Sequence, residues 1–585
     1  MLLRPDVVHD DWQGQLSRRD RFKVVERRLV QTVLTVASVL SSTSAVFAQT
    51  ELTIPEDALP SPSLRTPSEP IQLPTTVPPP ITLPTVPPPQ IPSELTGAET
   101  RIVVSNFVFK GNTIVSSEEL SAIAAAYTNR EVSFLDLQLL ENEITTLYTE
   151  RGYLTSYAYI STLDNPSFEP TAASLSVRVV EGQLEKIEVR GAPGLERYVV
   201  NRVKQATLPF NQADLEESLR LLQLDPLIQS ISANLISGNL EQSSILLLDI
   251  VPAPTTDLLV MVNNGNSPLS GRVELGGRLR FSNLTGLGES FSIGYYRSEG
   301  SDQYDVDLSI PVNAQDGRIG VEFSEFDSQI IEEPFNVFDI RSQNRFYQAS
   351  YQQPVVRKAD NSSVEELAIG LSIARLESDF TVEGFLVSPN AEDSARTRVN
   401  EVSFLQEYLQ QTRSSLVVAL SSLSVGANTA TDTELSREYF RWNGQAAWLK
   451  RFGRNSFSLQ GKAQFSANEL PPIVQFSLGS LRSTQGFRQR SLLSDNGVTA
   501  TAELQLPIVE APVGLSAVPF FETGVGWDNG SMREQTTDFF IAPGLGLQLD
   551  YGNFSARVDY ALPLTNINET DDSRLGFQLQ YRTAF

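Results

Sequence analysis

The chain of 585 residues contains no cysteine, and its single histidine is His9. The lack of cysteine excludes disulfides and fits an exported bacterial protein that does without them. His9 lies in a predicted leader, so the mature chain has neither His nor Cys. Catalysis by Ser-His-Asp or Cys-His groups, and zinc sites built on His or Cys, are thereby excluded. We expect no catalytic residues, no metal and no cofactor.

Long apolar runs are also missing from the mature chain. A membrane helix needs roughly 20 apolar residues, whereas a tilted strand crosses the same core with about 9–11. A closed barrel is the other way to hydrogen-bond every backbone group in lipid. The sequence therefore has to be examined for amphipathic strands.

The chain also lacks an excess of positive charge, since its formal net charge is −25. Phosphate binding needs clustered Lys and Arg, so an acidic chain is a poor candidate for a nucleic-acid partner. The sequence has no G-x-x-x-x-G-K-[ST] run, and Gly524-Val525-Gly526 has the wrong spacing for a dinucleotide loop. We expect neither nucleic acid nor nucleotide as a partner.

Residues 1–48 are predicted to be a signal peptide. A basic region is followed by the mostly apolar stretch Leu29 to Leu40, and Val46-Phe47-Ala48 is a cleavage site with small residues at the required places. A single membrane anchor is the alternative. Residues 1–17 are long for a leader, so a start further downstream stays open.

Residues 49–100 are predicted to be a proline-rich, disordered linker. Pro78-Pro79-Pro80 and Pro87-Pro88-Pro89 favour extended polyproline II, and such a segment cannot bury a core. A semi-rigid spacer is the favoured interpretation, and a ligand for a proline-recognition domain is the alternative.

Residues 101–182 are predicted to form a small unit of order β-α-α-β-β. The first strand stops at Gly111-Asn112, a turn signal. Ser116 and Glu119 fit a capping box that opens a helix to about Ala126. A second helix ends at Gly152. Its predicted core face carries Leu137, Leu140, Ile144 and Leu147, and the later strands are Tyr157 to Ile160 and Leu175 to Val180.

Residues 183–252 repeat that order. A strand ends at Gly191, a helix covers Leu195 to Ala206, and Asn211 and Asp214 cap another helix. Two strands, Ile228 to Ile236 and Ile245 to Val251, complete the unit. A tandem repeat of this length constrains the architecture more than a single motif does.

Residues 253–585 alternate with a period of two. In the stretch Leu367 to Ile373 one face is apolar and the other is small or polar, which in a transmembrane barrel means lipid outside and water inside. A soluble β-sandwich shows the same alternation, but 333 residues would be large for one.

The order of these units resembles that of a known family. The two repeated units resemble POTRA domains, and with a C-terminal barrel they are similar to two-partner secretion transporters of the haemolysin secretion/activation type. The residues that carry the resemblance are Phe107 to Thr113, Glu150-Arg151-Gly152-Tyr153, Leu221-Leu222-Gln223, Asp225-Pro226, Asn283 to Glu289, Leu478-Gly479-Ser480 and the last strand.

The resemblance implies a mainly β protein. It implies a 16-stranded transmembrane antiparallel barrel in the outer membrane, with POTRA domain 1 (101–182) and POTRA domain 2 (183–252) in the periplasm. The function implied is export of an unfolded partner exoprotein. The other expected partners are outer-membrane lipid and, during biogenesis, the barrel-assembly machinery.

Three other functions are alternatives to export. An insertase that assembles other barrels is the main alternative, but such relatives usually carry three or more POTRA units. A porin would lack the repeated α/β units, and a surface phospholipase would need a Ser-His pair that the mature chain does not have.

The same resemblance suggests three groups of site residues. The inward loop of the family carries an Arg-Gly-aromatic motif, and this chain has Gln485, Gly486, Phe487 and Arg488 there. The family pairs that Arg with an Asp on a barrel strand; here the matching strand carries Phe521, Glu522 and Gly524. The predicted barrel-assembly signal is Phe577, Leu579, Tyr581 and Phe585.

Both partners of the family's loop–strand pair therefore differ, with Gln for Arg and Glu for Asp. A bidentate Arg–carboxylate pair is charge-assisted, whereas a Gln–carboxylate contact is weaker. We hypothesise that Arg488 or Arg482 pairs with Glu522 instead. The alternative is a solvated loop in which Arg482, Arg488 and Arg490 have no specific partner.

Overall fold

A computed structural model describes residues 101–160, 173–203, 210–238, 243–360, 362–386, 396–429, 437–478, 492–509, 512–529, 537–565 and 575–585. The predicted signal peptide and proline-rich linker lie outside these residues. Among the helices in these ranges, none combines the length and the hydropathy that a membrane-spanning helix requires.

The first α/β unit packs two helices on a four-stranded sheet of order β2-β1-β4-β3, in which β1 and β4 are parallel. Buried apolar side chains from both helices and from β1, β3 and β4 form its core. Its elements are β1 (Ile102–Lys110), α1 (Ser117–Ala124), β2 (Glu131–Val132), α2 (Phe134–Glu150), β3 (Tyr157–Ile160) and β4 (Ala173–Val180).

Local signals place the ends of these helices. The Ser116 side chain accepts a hydrogen bond from the Glu119 amide (3.3 Å), so Ser116 caps α1 as predicted. The Glu119 side chain, predicted to complete a capping box, accepts from Arg151 instead. The helix ends at Ala124, and a 3₁₀ turn continues to Tyr127. Gly152 follows α2 with a φ of +90°, the left-handed conformation that glycine adopts without strain.

The second α/β unit has a three-stranded sheet of order β5-β7-β6. Asn211 caps its last helix by accepting from the Ala213 amide at 2.9 Å, and Leu215, Leu219 and Leu222 are buried on the predicted face. The elements are β5 (Gln183–Arg190), α3 (Glu196–Val203), α4 (Gln212–Gln223), β6 (Ile228–Ser237) and β7 (Ser243–Pro252).

The rest of the described chain forms one closed barrel. Its walls consist of β8 (Thr256–Asn263), β9 (Glu274–Ser282), β10 (Ser290–Arg297), β11 (Ser301–Pro311), β12 (Arg318–Gln329), β13 (Arg341–Ala359), β14 (Ser363–Val382), β16 (Arg396–Thr412), β17 (Ser415–Asn428), β18 (Arg437–Phe452), β19 (Asn455–Ser466), β22 (Asn496–Val509), β23 (Gly514–Trp527), β24 (Thr537–Tyr551), β25 (Phe554–Ala561) and β26 (Leu575–Ala584). Three short strands, β15 (Phe385–Leu386), β20 (Phe476–Leu478) and β21 (Leu492–Ser494), lie in connections between them.

Each wall strand pairs antiparallel with the next, which makes 16 strands and confirms the predicted fold class. The ring closes where β26 pairs with β8, from Gln578↔Asn263 to Ala584↔Asp257. The Phe585 amide also donates to the Thr256 carbonyl at 2.9 Å. The last strand therefore has a neighbour on both sides.

The two faces of the wall differ as the period-two pattern predicts. Leu371 and Ile373 on β14 are 59% and 62% exposed, whereas Ser372 between them is 3% exposed. The same pattern holds on β16, where Val402 is exposed and Ser403 is buried. The apolar face suits lipid, and the opposite face lines the interior.

The barrel has two rims. The near rim adjoins the α/β units and includes the turns between β9 and β10, β11 and β12, and β13 and β14. The far rim carries the long connections, among them residues 467–495 between β19 and β22.

Candidate translocation pore

The long far-rim connection folds back onto the inner wall. Its two limbs pair with each other as β20 and β21, with Leu478 opposite Leu492. A Cβ placed on Gly526 of β23 would lie 2.6 Å from Leu478 Cδ1 and 2.4 Å from Ser494 Oγ, so both limbs press on that strand. We call residues 470–478 and 492–495 the loop base.

The predicted loop motif, Gln485 to Arg488, lies outside the described residues, as do Arg482 and Arg490. Residues 479–491 join β20 to β21, so the motif occupies the segment between the two limbs of the loop base. Its role stays a prediction.

The predicted anchoring strand is β23. Glu522 is fully buried and lies on the same face as Gly524 and Gly526, which is the face that the loop base contacts. A Cβ on Gly524 would meet the Phe540 ring at 2.3 Å, so glycine makes room there for an aromatic side chain. Phe521 points the other way and is 44% exposed, while the buried Phe520 shares the face of Glu522.

The predicted assembly-signal residues lie on β26 and at its end. Phe577, Leu579 and Tyr581 alternate with Gln578 and Gln580 along the strand, and Tyr581 is 44% exposed on the apolar outer face. Phe585 is 69% exposed at the near rim. A role in assembly stays a prediction for these residues.

A buried ion pair on the inner wall was not among the predicted residues. Arg441 on β18 and Glu401 on β16 are 2% and 6% exposed. Arg441 donates from Nε to Glu401 Oε2 and from Nη2 to Oε1, both at 2.9 Å. The period-two pattern places both residues on the inner face of their strands, so the sequence indicates that they are interior. Their pairing across β17 cannot be derived from spacing.

A second ion pair on the inner wall lies between β22 and β25. Arg557 on β25 donates from Nη2 to Glu503 Oε1 at 2.8 Å and from Nε to Asp559 Oδ1 at 2.9 Å. Its guanidinium spans the strands between β25 and β22. Charged side chains therefore line the interior in mutual contact, as their partial burial requires.

The second α/β unit is fixed to the near rim by an arginine. Arg202 of α3 donates from Nη2 to Asp316 Oδ1 at 2.6 Å, and Asp316 lies in the turn between β11 and β12. The Arg202 guanidinium also stacks 4.3 Å above the Tyr198 ring. Arg318 and Arg357 approach the same carboxylate at 3.1 and 3.6 Å, so three arginines converge on Asp316.

The electrostatics of this contact follow from burial and charge. Burial alone would raise the pKa of Asp316, but the neighbouring arginines, Arg202 first, hold it below its ordinary value. Likewise burial opposes the charge of Arg202, while Tyr198 and Asp316 raise its pKa. Both side chains are therefore charged in the folded protein.

The neighbouring turn, residues 283–289, is shaped to receive the same helix. Gly288 has a φ of +81°, and a Cβ there would lie 2.1 Å from the Tyr198 ring. The Asn283 side chain accepts from the Gly288 amide at 2.9 Å, and Glu289 accepts from the Leu287 amide at 3.2 Å. The Asn-Leu-Thr-Gly-Leu-Gly-Glu motif thus forms part of the contact between α/β unit and barrel.

The two α/β units are joined by hydrogen bonds to backbone carbonyls of the first unit. The Gln212 amide donates to the Gly152 carbonyl at 3.0 Å, and the Asn211 side chain donates to the Arg151 carbonyl at 3.0 Å. Glu181, between the units, accepts from the Ile114 amide at 2.8 Å and from the Tyr148 hydroxyl at 3.0 Å. The Glu-Arg-Gly-Tyr motif therefore lies at this junction.

These features define a class of protein: a membrane barrel with a polar-lined interior, a far-rim connection whose base is docked on the inner wall, and tandem α/β units before the first barrel strand. The family described as haemolysin secretion/activation protein ShlB/FhaC/HecB matches residues 242–549, and the ShlB-type POTRA domain matches residues 102–182.

Individual relatives agree with this. The heme/hemopexin transporter protein HuxB of Haemophilus influenzae is 22% identical over 79% of this chain and 83% of its own length. The outer membrane transporter CdiB of Dickeya dadantii is 22% identical over 70% of this chain and 74% of its own. The hemolysin transporter protein ShlB of Serratia marcescens is 21% identical over 67% and 70%.

Solved structures show the same fold. CdiB from Escherichia coli superimposes with a TM-score of 0.59 at 17% identity, covering 98% of this chain and all of that one (100%). CdiB from Acinetobacter baumannii gives a TM-score of 0.55 at 13% identity, covering 96% and 98%. The chain belongs to the haemolysin secretion/activation family, and its POTRA domains therefore lie on the periplasmic side of the outer membrane.

Replacing Asp316 by Asn should loosen the joint between POTRA domain 2 and the barrel more than replacing Arg202 by Gln. The first change leaves three arginines facing one another, whereas the second leaves Asp316 with two of them. Loss of a charged hydrogen bond of this kind costs about 1.5–3 kcal/mol before allowance for its partial exposure. Spin labels at Arg197→Cys and Asn553→Cys, in a chain without other cysteines, would report the loosening as a broadened distance distribution.

Asp360→Asn, in the next near-rim turn, is the matched control, because Asp360 accepts from Ser362 and Ser363 of its own turn. The lowered pKa of Asp316 means that its contribution is present above the unfolded value of 3.8 and lost only as the pH falls through the lower folded value. The distribution should therefore not change between about pH 5 and 8. Equal distributions for Asp316→Asn and the control would contradict the assignment.

Proposed function

We propose that this protein is the outer-membrane transporter of a two-partner secretion system. It receives an unfolded exoprotein in the periplasm and passes it through the barrel to the cell surface. The observation that carries the proposal is a closed, polar-lined barrel whose periplasmic rim is fixed to POTRA domain 2. Membership in the haemolysin secretion/activation family supports it.

The relatives' names narrow the kind of activity. HuxB is named as a heme/hemopexin transporter protein, CdiB as an outer membrane transporter and ShlB as a hemolysin transporter protein. Transport is common to all three names. We infer transport of a protein partner for this chain as well, and we expect no catalysis because the route makes and breaks no covalent bond.

The POTRA domains offer extended edges to an unfolded chain. β6 is at the end of its sheet and is ten residues long, and β3 is at the end of the other sheet. An unfolded segment can add to such an edge as a further strand. Leu135 and Leu139 of α2, 65% and 47% exposed one helical turn apart, add an apolar surface for its side chains.

The passage through the barrel involves the inward loop. Glu522 lies four residues, about 13 Å along the strand, from the level of the loop base at Gly526. A segment the length of 479–491 can extend about 20 Å from its base and return. Arg488 or Arg482 is thus within reach of Glu522, and their pairing would hold Gly486 and Phe487 in the path of the exoprotein.

The energy source has to lie outside the chain, since no nucleotide-binding motif is present in its sequence. The family implies that folding of the exoprotein at the cell surface prevents its return. The interior then needs only to let an extended chain pass without binding it tightly.

Deleting the gene should remove one large protein from the culture medium and leave other barrels of the outer membrane at their normal amounts. Quantitative mass spectrometry of medium and outer membranes checks both, with the wild-type chain restored as the control. Loss of many barrels with no specific loss from the medium would favour an insertase and contradict the proposal.

The pairing of Glu522 is tested by a double-mutant cycle on secretion. Glu522→Gln and Arg488→Gln should each impair export, and the double variant should do little more than either one, because both changes break the same contact. Arg482→Gln tests the other candidate in the same way, and Arg490→Gln is the control cation of the loop. Additive effects for both Arg488 and Arg482 would reject the pairing.

A further inference from the structure

The base of the inward loop is held by a side chain of the barrel wall. Besides its two bonds to Glu401, Arg441 donates from Nη1 to the Val474 carbonyl at 3.2 Å. Gln464 of β19 donates from Nε2 to the same carbonyl at 3.1 Å. The oxygen of one loop residue thus receives two donors from two neighbouring wall strands.

The Arg441 guanidinium is fixed in this orientation. Its bidentate contact with Glu401 sets the plane of the group, and the Tyr439 hydroxyl donates to Glu401 Oε2 at 2.8 Å. Ser403 donates to the other carboxylate oxygen at 3.3 Å. Because the carboxylate is held by two further donors, the Nη1 atom is presented to the loop without freedom to turn away.

Apolar packing accompanies the polar contacts. Leu470, Ile473 and Val474 of the loop base are 6%, 3% and 3% exposed. They pack in one cluster with Tyr439, Val399 and Leu376 of the wall. The end of the same limb packs as well, since Phe476 and Leu478 of β20 form a cluster with Phe540 of β24.

Asp495 ties the two limbs together. Its Oδ1 accepts from the Leu470 amide at 2.8 Å and from Gln475 Nε2 at 3.1 Å, and its Oδ2 accepts from the Asn529 amide at 3.0 Å. The Asp495 carbonyl accepts from Gln464 Nε2 at 3.1 Å. Undocking the loop base would break these bonds together with those of Arg441 and expose the apolar cluster.

We propose that Arg441 is a positioning residue for export: with Glu401 it holds the loop base on the barrel wall, and the loop base remains docked while the exoprotein passes. The proposal rests on the proposed function, because it concerns the path of an exported chain. On this proposal the exported chain passes through the part of the interior that the loop base leaves open. The whole connection does not withdraw from the barrel.

A disulfide between loop base and wall tests this directly. A Cβ on Gly526 lies 3.3 Å from Ser494 Cβ, close to the separation of about 3.5–4.5 Å found in disulfides. Since the chain has no cysteine, Ser494→Cys with Gly526→Cys creates one possible pair. Both are made in a Leu478→Ala background, which removes the Cδ1 atom that the new Cβ would otherwise meet at 2.6 Å. Secretion of the exoprotein that the deletion strain lacks is then measured in oxidised and in reduced cells.

The disulfide should form readily, and secretion should be the same in both redox states. Secretion that stops on oxidation and returns on reduction would overturn the proposal, since the base would then have to move. Failure of the disulfide to form in a correctly assembled barrel would also overturn it. If the deletion strain loses no secreted protein, the proposed function has failed, and the rate of disulfide formation still tests the docked base.

The role of Arg441 is tested by the same reaction. Arg441→Gln should slow formation of the 494–526 disulfide by about tenfold, because the loop base is then docked for a smaller fraction of the time. Arg557→Gln is the matched control, since Arg557 makes a similar interior pair with Glu503. Heat-modifiable migration of both variants shows whether the barrels are assembled. Equal rates in assembled Arg441→Gln and Arg557→Gln barrels would overturn the assignment.

Discussion

Inside a bilayer the backbone has no water to bind, so each N–H and C=O of the wall needs a partner within the protein. Pairing between β26 and β8 meets this requirement, because it converts an open sheet with two edges into a ring. The ring also fixes the two faces of every strand. The outer face has to be apolar, and the inner face can carry serine, glutamine and paired charges.

The polar interior makes the other features possible. Gly524 and Gly526 have no side chain on the inner face, which leaves space there for an aromatic ring and for the loop base. Arg441 and Arg557 remain charged there because each has carboxylate partners. At the periplasmic rim, Arg202 and the turn at Gly288 set the position of POTRA domain 2 relative to the pore. An exported chain would pass from the POTRA edges into this lined interior.

Much of this architecture could be predicted because its signals are local. The caps at Ser116 and Asn211 and the turn at Gly152 depend on a few neighbouring residues, and the structure confirms them. The strands of the barrel follow from period two. The two-residue strand β2 was missed, since so short a segment has no periodicity, and so was the parallel pairing of β1 with β4.

The contacts that matter most for the pore are not local. Arg441 and Glu401 are 40 residues apart and meet across a strand that lies between them, and Arg202 meets a residue 114 positions away. Residue type identifies such side chains as candidates, but only the register of the strands pairs them. Phe521 shows the same limit. It was predicted to lie with Glu522, but it is on the outer face, because a shift of one residue along a strand moves a side chain to the other face.

The central claim, that a polypeptide crosses the membrane inside this barrel, can be tested with adjacent residues of β19. Gln460 lies on the interior face, whereas Leu459 is 41% exposed on the outer face. A photo-crosslinking amino acid at either position can be activated while an exoprotein is stalled in export. If the exoprotein passes inside the barrel, the stalled chain crosslinks at position 460 and not at 459. Crosslinking at 459 alone, or at neither position although export is stalled, would contradict it.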